Sequence, residues 1–380
     1  MSQTPQIIGI DCRMYSPNFT GIGRYVFELV QNLQKIDHHN HYKLFFNQPE
    51  FDYFKPHSPN FEKVLVNARH YSIDEQTAFL KSLNQAKLDL MHFTHFNSPI
   101  LYSKPSIVTI HDLTLHFFPG KKMTKPWHRL AYRLTINSTV KKAKKIIAVS
   151  RSTANDLQTV LKAPLSKVHI IYEGVNPEFQ VITDQSRLRT TRQKYQLADR
   201  FLLYTGVWRD HKNILGLIEA FRLLQTNPAN HDLQLVITGR KDSLYAQEIF
   251  AASQDLMDQN KLIFPGLVSD HELIDLMNLA TVYVFPSFYE GFGLPPLEAM
   301  ACGTPVASSN TSCMPEVCGK NALFFDPYHP SEIAQATQKI LDDGQLRQSL
   351  IESGLQYVKK YSWEKMAKET YQLYCESLHG

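Results

Sequence analysis

Two acidic residues flank a glycine-rich turn in the second half of the chain. Glu290 directly precedes Gly291, and Glu298 follows Gly293 by five residues. Glycines let a backbone pass close to a ligand, and the free amides at a helix start favour an anionic group. Carboxylates accept hydrogen bonds from hydroxyl groups. The spacing therefore predicts a site that holds an anion and hydroxyl groups together.

A short helix is expected to follow this turn. Pro295 and Pro296 suit its first positions, because proline lacks an amide that would be unsatisfied there, and Gly303 suits its end. Glu298 is then expected in the first turn, where a carboxylate can also simply complement the helix dipole. Helix capping does not account for Glu290, and the pair favours a binding site.

The elements that must position this turn follow an alternating pattern. Short β-branched runs alternate with amphipathic stretches of helix length, which is typical of a parallel sheet covered by helices on both faces. The chain is therefore predicted to be α/β, with two doubly wound domains facing one cleft. The predicted strands are 7–10, 43–46, 64–66, 88–92, 106–110, 146–149, 168–171, 201–205, 233–238, 262–264, 281–285, 305–308 and 323–325.

Domain boundaries follow from turn-rich segments. Gly174 and Pro177 mark a linker near residues 172–182. The predicted domains are residues 1–175 and 182–361, followed by a C-terminal helix over 362–380 that Ser362 caps and that packs back towards the first domain.

Composition excludes several classes of protein. The 380 residues are 43% hydrophobic and 20% charged, a composition that excludes a disordered or collagen-like chain. The net charge of only +4 gives no sign that the chain as a whole binds a polyanion. No run approaches the ~18 apolar residues of a membrane span, and the N-terminus is not typical of a signal peptide. Five cysteines fit reduced thiols in a cytoplasmic protein, and Cys313 and Cys318 are predicted to be buried thiols rather than zinc ligands.

Parallel sheets bind ligands beyond the carboxyl ends of their strands. The residues that follow the predicted strands of the second domain are rich in glycine, proline, serine and charge, at 206–213, 239–241, 266–270, 286–294 and 308–311. Turn chemistry explains part of this enrichment, so the segments indicate a site only in combination.

The sequence resembles a known family. The run from Pro286 to Glu298 (Pro-Ser-Phe-Tyr-Glu-Gly-Phe-Gly-Leu-Pro-Pro-Leu-Glu) and the following Ala-Met-Ala-Cys-Gly are similar to the signature of retaining glycosyltransferases of family 4. These are nucleotide-sugar-dependent enzymes with the GT-B fold of two Rossmann-like domains. The similarity continues through 206–213, 235–239, 266–273 and 314–317, and in the first domain it includes Thr20-Gly-Ile-Gly-Arg24, 110–112 and 148–150.

The resemblance implies a catalytic set and a donor-binding set. Glu290 would bind hydroxyls of the donor sugar, Glu298 the ribose diol, and Lys212 the diphosphate, while His111 would contact the transferred sugar near its anomeric carbon. Arg209 is the candidate second phosphate ligand, although the family usually has an arginine closer to the lysine. The remaining donor-binding residues that the resemblance implies are Gly23, Val268, Asp270, Gly291, Phe292, Gly293 and Leu294.

The implied reaction is hexosyl transfer from a nucleoside diphosphate sugar, with GDP-mannose preferred, to a glycan or lipid-linked acceptor bound by the first domain, in cell-surface polysaccharide assembly. Same-face substitution is favoured, and a covalent route through Asp112 is the rival. Neither a metal ion nor a cofactor is expected, since no Asp-x-Asp pair is present. Alternatives are another GT-B enzyme, such as a phosphorylase or epimerase, and an inactive scaffold that binds nucleotide or glycan.

One segment of the first domain is strongly basic. Between Leu113 and Asn155 there is no Asp or Glu, and Trp127, Leu130, Leu134 and Ile136 are interleaved with the basic residues. Either this is a solvated helix whose apolar stripe packs on the sheet, or it binds an anionic membrane surface as a peripheral protein on the inner face. No nucleic-acid-binding module is present. The basic residues are Lys121, Lys122, Lys125, Arg129, Arg133, Lys141, Lys142, Lys144, Lys145 and Arg151.

Overall fold

A computed structural model describes residues 4–16, 21–122 and 125–379 of the chain. Within these ranges thirteen strands form two parallel sheets, and each of the predicted strands is confirmed with small shifts at its ends. The strands are β1 (Ile7–Asp11), β2 (His41–Phe46), β3 (Phe61–Leu65), β4 (Leu90–Phe93), β5 (Ser106–Ile110), β6 (Lys145–Ala148), β7 (Val168–Ile170), β8 (Phe201–Thr205), β9 (Gln234–Thr238), β10 (Leu262–Gly266), β11 (Val282–Phe285), β12 (Val306–Ser309) and β13 (Ala322–Phe325).

Both sheets are doubly wound. The first has the strand order β3-β2-β1-β4-β5-β6-β7, and the second has the order β10-β9-β8-β11-β12-β13. The order reverses between β1 and β4 in the first sheet and between β8 and β11 in the second. Ligands of doubly wound sheets bind at the carboxyl edge beside this reversal, so the residues after β1, β4, β8 and β11 are placed for binding. The predicted α/β class and the two Rossmann-like sheets are confirmed.

Helices connect the strands, and several begin at side-chain caps. Ser150 accepts from the Thr153 amide at 3.0 Å, and Ser362 accepts from the Lys365 amide at 3.1 Å. The helices are α1 (Ile22–Ile36), α2 (Glu50–Tyr53), α3 (Leu80–Gln85), α4 (Thr114–Phe117), α5 (Pro126–Lys142), α6 (Arg151–Leu161), α7 (Gln185–Lys194), α8 (Ile214–Gln225), α9 (Ser243–Ala251), α10 (Gln254–Asp258), α11 (Asp270–Leu279), α12 (Leu294–Ala301), α13 (Met314–Cys318), α14 (Pro330–Asp342), α15 (Gly344–Tyr357) and α16 (Trp363–His379). None of them has both the length and the apolar character of a membrane span.

The chain divides into two compact units. The first unit contains the described residues up to Leu113, those from 125 to Gly174, and α16, which packs against α1. The second unit contains Val175–Tyr361 and also Thr114–Lys122. The range 1–175 expected for the first domain therefore differs at one segment, because residues 114–122 pack with the second unit.

Each unit has an apolar core. All five residues of β8 and all four of β11 are buried, as expected of strands covered on both faces. In the first unit His92 on β4 hydrogen-bonds Tyr374 on α16 at 2.6 Å and Thr109 on β5 at 2.8 Å, and burial lowers the pKa of His92 to about 3.

All five cysteines are free, and Cys313 and Cys318 are buried as predicted.

Candidate active site

Lys212 lies on the turn that follows β8. Asp210–Lys212 form one 3-10 turn, and Asn213 ends it in the left-handed conformation with φ 54°. The Asn213 side-chain amide donates to the carbonyl oxygens of Pro286 at 3.1 Å and Pro327 at 2.7 Å. The turn is thereby fixed to the segment after β11, on the other side of the strand-order reversal.

Glu290 lies in the loop that follows β11. The Glu290 amide donates to Ser312 Oγ at 3.0 Å, and the Phe288 amide donates to the carbonyl oxygen of His211 at 2.8 Å. Gly293 precedes α12 with φ 82°, a conformation that glycine adopts without strain. The Glu290 loop and the Lys212 turn are therefore hydrogen-bonded to one another and to the segments that follow β12 and β13.

The structure brings Lys212 and Glu290 together. Lys212 Nζ donates to Glu290 Oε1 at 2.6 Å, and their side chains are 17% and 12% exposed. Lys212 Nζ also lies 5.6 Å from the centre of the Phe285 ring. Both charges are thus partly desolvated but not fully buried, which suits a site that exchanges this ion pair for a charged ligand.

Glycines shape the neighbouring strand ends. The Gly239 amide donates to the carbonyl oxygen of Gly266 at 2.9 Å, and the Gly206 amide donates to that of Thr238 at 3.1 Å. Gly239 has φ +124°, and a Cβ there would lie 2.2 Å from the carbonyl oxygen of Gly206. Only glycine permits this close approach of two strand ends.

The other donor-binding residues predicted in the second unit, apart from Glu298, follow its strands or begin the next helix. Arg209 precedes the Lys212 turn, and its Nε lies 3.9 Å from Asp242 Oδ2. Val268 is half-buried after β10, and Asp270 is the first residue of α11. Gly291 and Phe292 are buried and Leu294 is half-buried at the start of α12. These placements leave their assigned roles as predictions.

Glu298 is positioned differently from the expectation. Helix α12 begins at Leu294, because Gly293 in its left-handed conformation ends the loop, and no acidic residue lies in the first turn. Glu298 is the fifth residue of α12 and is half-buried. The expected first-turn position was wrong, and complementing the helix start does not explain this carboxylate.

Aromatic residues around the site were missed by the sequence analysis. Phe288 stacks on Tyr328 at 4.6 Å, and Tyr204 is fully buried on β8. Burial raises the pKa of Tyr204, and the negative charge of Glu290 raises it further. Ser312, which holds the Glu290 amide, was also missed. The available signal is the position of Phe288 near Glu290 and that of Ser312 and Tyr328 in segments that follow strands, whereas Tyr204 lies within β8 and had no such signal.

In the first unit, His111 follows β5 and is held at both ring nitrogens. Nδ1 lies 3.0 Å from Glu173 Oε1, and Nε2 lies 3.0 Å from the carbonyl oxygen of Thr94. The Glu173 carboxylate and the Thr94 carbonyl oxygen both accept hydrogen bonds, and the two contacts together fix the orientation of the ring. Glu173 was missed because its segment indicated only a linker. Gly23 is buried in the first turn of α1, and Thr20 of the same motif lies outside the described residues.

A buried charged cluster follows β1. Arg13 contacts Asp11 Oδ2 at 2.7 Å and Glu75 Oε2 at 3.2 Å, and its guanidinium carbon lies 3.9 Å from the centre of the Phe79 ring. All three charged side chains are at most 2% exposed. The cluster occupies the carboxyl edge of the first sheet, and no motif signalled it.

Helix α5 contradicts one of the two interpretations of the basic segment. Trp127, Leu130 and Leu134 are 60%, 58% and 55% exposed, whereas Ile136 is buried. The apolar stripe therefore does not pack on the sheet, except at Ile136. Among the basic residues, Lys144 Nζ donates to the carbonyl oxygen of Ser377 at 2.6 Å and Lys145 Nζ lies 3.0 Å from His169 Nε2, so these two have local partners.

Comparison with known proteins gives the family. Residues 19–179 match the family described as Glycosyltransferase Family 4, and residues 189–357 match the family described as Glycosyl transferases group 1. The uncharacterized glycosyltransferase MJ1607 of Methanocaldococcus jannaschii is 30% identical over 80% of this chain and 79% of its own.

Two relatives from Escherichia coli carry more specific names. O-antigen chain mannosyltransferase B is 28% identical over 93% of this chain and 96% of its own length. Serotype-specific mannosyltransferase WbdA is 33% identical over 60% of this chain, a match that spans only 28% of WbdA.

Solved structures share the fold. Sucrose-phosphate synthase from Thermosynechococcus elongatus matches with a TM-score of 0.80 at 22% identity, over 98% of both chains. Anabaena HepE, in complex with UDP and glucose, matches with a TM-score of 0.76 at 17% identity, over 98% of this chain and 100% of its own. With these matches the chain belongs to glycosyltransferase family 4, the glycosyl transferases group 1, and has the GT-B fold.

Proposed function

We propose that the protein transfers a hexose, with retention of configuration, from a nucleoside diphosphate sugar to a hydroxyl group of a glycan or lipid-linked acceptor. The observation that carries this proposal is the Lys212–Glu290 pair at 2.6 Å, at the strand-order reversal of the second sheet. A cation and a carboxylate side by side fit a ligand that has a diphosphate next to a sugar.

When the donor binds, Lys212 and Glu290 contact different parts of it. Lys212 exchanges its contact with Glu290 for the diphosphate and stabilises the negative charge that builds on the leaving group. Glu290, released from the lysine, accepts from the sugar hydroxyls. No metal ion is required in this scheme, since Lys212 and backbone amides supply the positive charge.

Same-face substitution is the favoured mechanism. The bond from the anomeric carbon to the diphosphate oxygen breaks, the acceptor oxygen bonds to the same face, and the departing phosphate oxygen takes the acceptor proton. Asp112 remains the nucleophile of the covalent rival route. His111 would contact the transferred sugar after exchanging the Thr94 carbonyl for a ligand atom.

The preferred donor is GDP-mannose. Support comes from the Escherichia coli relatives, which are named as mannosyltransferases, one of them of O-antigen chains. A role in cell-surface polysaccharide assembly follows from the same names. The HepE structure contains UDP and glucose, so a uridine donor is the first competitor to test.

A membrane surface is the proposed location of the acceptor. Helix α5 exposes Trp127, Leu130 and Leu134 with i, i+3 and i+7 spacing, and exposed Arg129 and Arg133 lie between them. The helix carries no acidic residue. Apolar side chains flanked by cations complement an anionic lipid surface, and a cytoplasmic protein would meet lipid-linked acceptors there.

The test measures thermal shifts with GDP, UDP, dTDP and ADP, followed by slow hydrolysis of the matching nucleotide sugars. We expect GDP to stabilise the protein most and GDP-mannose to release GDP, with Lys212→Ala abolishing both effects. Binding without turnover of any nucleotide sugar would favour the inactive scaffold, and release of sugar phosphate would favour a phosphorylase. Interconversion of the sugar without transfer would favour an epimerase.

A further inference from the structure

A short segment that precedes α5 packs on the second unit. This segment, Thr114–Lys122, is here named the strap; it contains α4 and one 3-10 turn, and it groups with Val175–Tyr361 rather than with the residues before it. None of the motifs in the sequence marked it. Its contacts concentrate on the residues next to Lys212 and Glu290.

Two phenylalanines of the strap meet the Glu290 loop. The Phe117 ring lies 5.1 Å from that of Tyr289, and the Phe118 ring lies 6.2 Å from that of Phe288 with an angle of 8° between the planes. Phe118 also lies 6.3 Å from Tyr289. The strap thus packs on the two residues that immediately precede Glu290.

The same phenylalanine meets the Lys212 turn. The Phe118 ring lies 6.2 Å from the ring of His211, the residue before Lys212. Burial lowers the pKa of His211 to about 2, with the charges of Lys212 and Arg209 as further causes, so the ring is neutral at physiological pH. A neutral ring packs on Phe118 without burying a charge.

The far end of the strap is anchored separately. The Lys121 amide donates to Tyr245 Oη at 2.9 Å, and Lys121 Nζ contacts the Leu244 carbonyl oxygen at 3.0 Å and Glu248 Oε2 at 3.2 Å. Gly120 has φ +57°, and a Cβ there would lie 2.5 Å from Tyr245 Oη. A side chain at position 120 would therefore displace the Tyr245 hydroxyl that accepts from the Lys121 amide.

A small pocket lies between the strap and the turn. Strap residues Leu115, Phe118 and Gly120 line it on one side, and Arg209, His211 and Tyr245 line it on the other. Phe118 is the strap residue that both borders this pocket and contacts the residues adjoining Lys212 and Glu290.

We propose that the strap is a positioning element of the donor site, in which Phe118 holds Lys212 and Glu290 at the spacing that a nucleoside diphosphate sugar requires. This inference rests on the proposed function. Phe118 acts through His211, Phe288 and Tyr289, and it is therefore a positioning residue. Displacements of about 1 Å in a reacting constellation cost up to about a hundredfold in rate.

The experiment compares Phe118→Ala with the wild type and with Leu256→Ala, which truncates a buried side chain of α10 in the same unit. Measurements are kcat and KM with the active nucleotide sugar, Kd for its nucleotide, and Tm. We expect Phe118→Ala to lower kcat by about a hundredfold and to raise the Kd for the nucleotide. We expect Leu256→Ala to lower Tm and to leave kcat unchanged. Phe118→Tyr should restore most of kcat, and Gly120→Ala should reproduce the loss.

The outcomes separate the two proposals. A wild type that neither binds a nucleotide nor turns over a nucleotide sugar overturns the proposed function. A wild type that does both, with Phe118→Ala equal to it in kcat and Kd, overturns the strap inference alone. If the fall of kcat in Phe118→Ala accompanies a fall of Tm, and if kcat recovers at a lower temperature, the strap has only a structural role and the inference is likewise overturned.

Discussion

Lys212 Nζ and Glu290 Oε1 are 2.6 Å apart although the two residues follow different strands, β8 and β11. Each side chain keeps the other in place and partly neutralises its charge. Under the proposed function, a donor with a diphosphate and hydroxyl groups would replace this contact for both side chains at once.

Removing either member of this pair should lower turnover by about a hundredfold, because in the proposed mechanism Lys212 stabilises charge on the leaving group and Glu290 holds the sugar hydroxyls. In Lys212→Ala and Glu290→Gln, kcat should fall while far-UV circular dichroism and Tm stay near those of the wild type. The double variant should lose less activation free energy than the two single variants together, since the side chains contact each other. Lys194→Ala, which breaks the ion pair with Glu272 on the same unit, is the control. Near-normal rates in both single variants would disprove the site.

The contact between His111 and Glu173 should matter for turnover rather than for folding. Glu173→Gln keeps the size of the side chain but removes the charged acceptor at Nδ1, and hydrogen bonds to charged groups contribute about 1.5–3 kcal/mol. We expect kcat to fall about tenfold or more, and Glu178→Gln, an exposed neighbour in sequence, to have no effect. Equal rates in the two variants would contradict a role for the pair.

Gly239→Ala should destabilise the second unit, because its Cβ would lie 2.2 Å from the Gly206 carbonyl oxygen and its φ is +124°. Gly266→Ala is a matched control, since Gly266 also has a positive φ of +81° but a Cβ there has no neighbour within 4 Å. Strain of positive φ alone costs about 1–3 kcal/mol, and the clash adds to it. Urea unfolding should show a larger loss of unfolding free energy in Gly239→Ala than in Gly266→Ala. A larger loss in Gly266→Ala would refute the close approach of Gly239 to Gly206.

Acid should destabilise the first unit through His92. Its folded pKa is about 3 against about 6.5 when unfolded, so between these values the unfolded chain binds the extra proton. The free energy of unfolding should then fall with decreasing pH by up to about 1.4 kcal/mol per unit. Burial also lowers the pKa values of His95, His169 and His211, so these histidines add to the wild-type slope, whereas the lowered pKa values of Asp255 and Glu272, about 2, act in a lower range. Urea unfolding from pH 6.5 to 4.5 should show a shallower slope in His92→Gln and the wild-type slope in the exposed His38→Gln.

The apolar stripe of α5 should bind anionic lipid. Replacing Trp127, Leu130 and Leu134 by alanine should reduce partitioning into phosphatidylglycerol vesicles at least about tenfold, since each side chain buries apolar area in the membrane interface. Ile73 and Leu101, which are 80% and 75% exposed in the same unit, provide the control substitutions. If the triple variant partitions into these vesicles as the wild type does, α5 does not bind the lipid surface and its exposed stripe is simply solvated.

The fold was largely predictable from the sequence because buried parallel strands have a strong signal. The run Phe201–Thr205, apolar and buried on both faces, was predicted with its observed ends. Glu290 was singled out from the glycines and prolines around it, whereas the role of Lys212 came from the family resemblance. The start of α12 was not, since Leu294 rather than Pro295 begins it and shifts Glu298 out of the first turn.

Contacts distant in sequence could not be predicted. Glu173 reaches His111 across 62 positions, and its own segment has only the pattern of a turn. On α5 the residues that face the core are Tyr132, Ile136 and Val140, an i, i+4, i+8 series. The sequence contains this series and the Trp127 stripe together, and only the packing decides which of them is buried.

The strap makes the second unit, the proposed donor-binding half, discontinuous in sequence. An exchange of that half with a relative at Gly174 and Ser362 would transfer β8–β13 but leave the recipient's residues 114–122 against foreign loops. A chimaera that also carries its own 114–122 keeps the matching aromatic surfaces. Engineering of a new sugar specificity in this chain therefore has to move two separate stretches of the gene together.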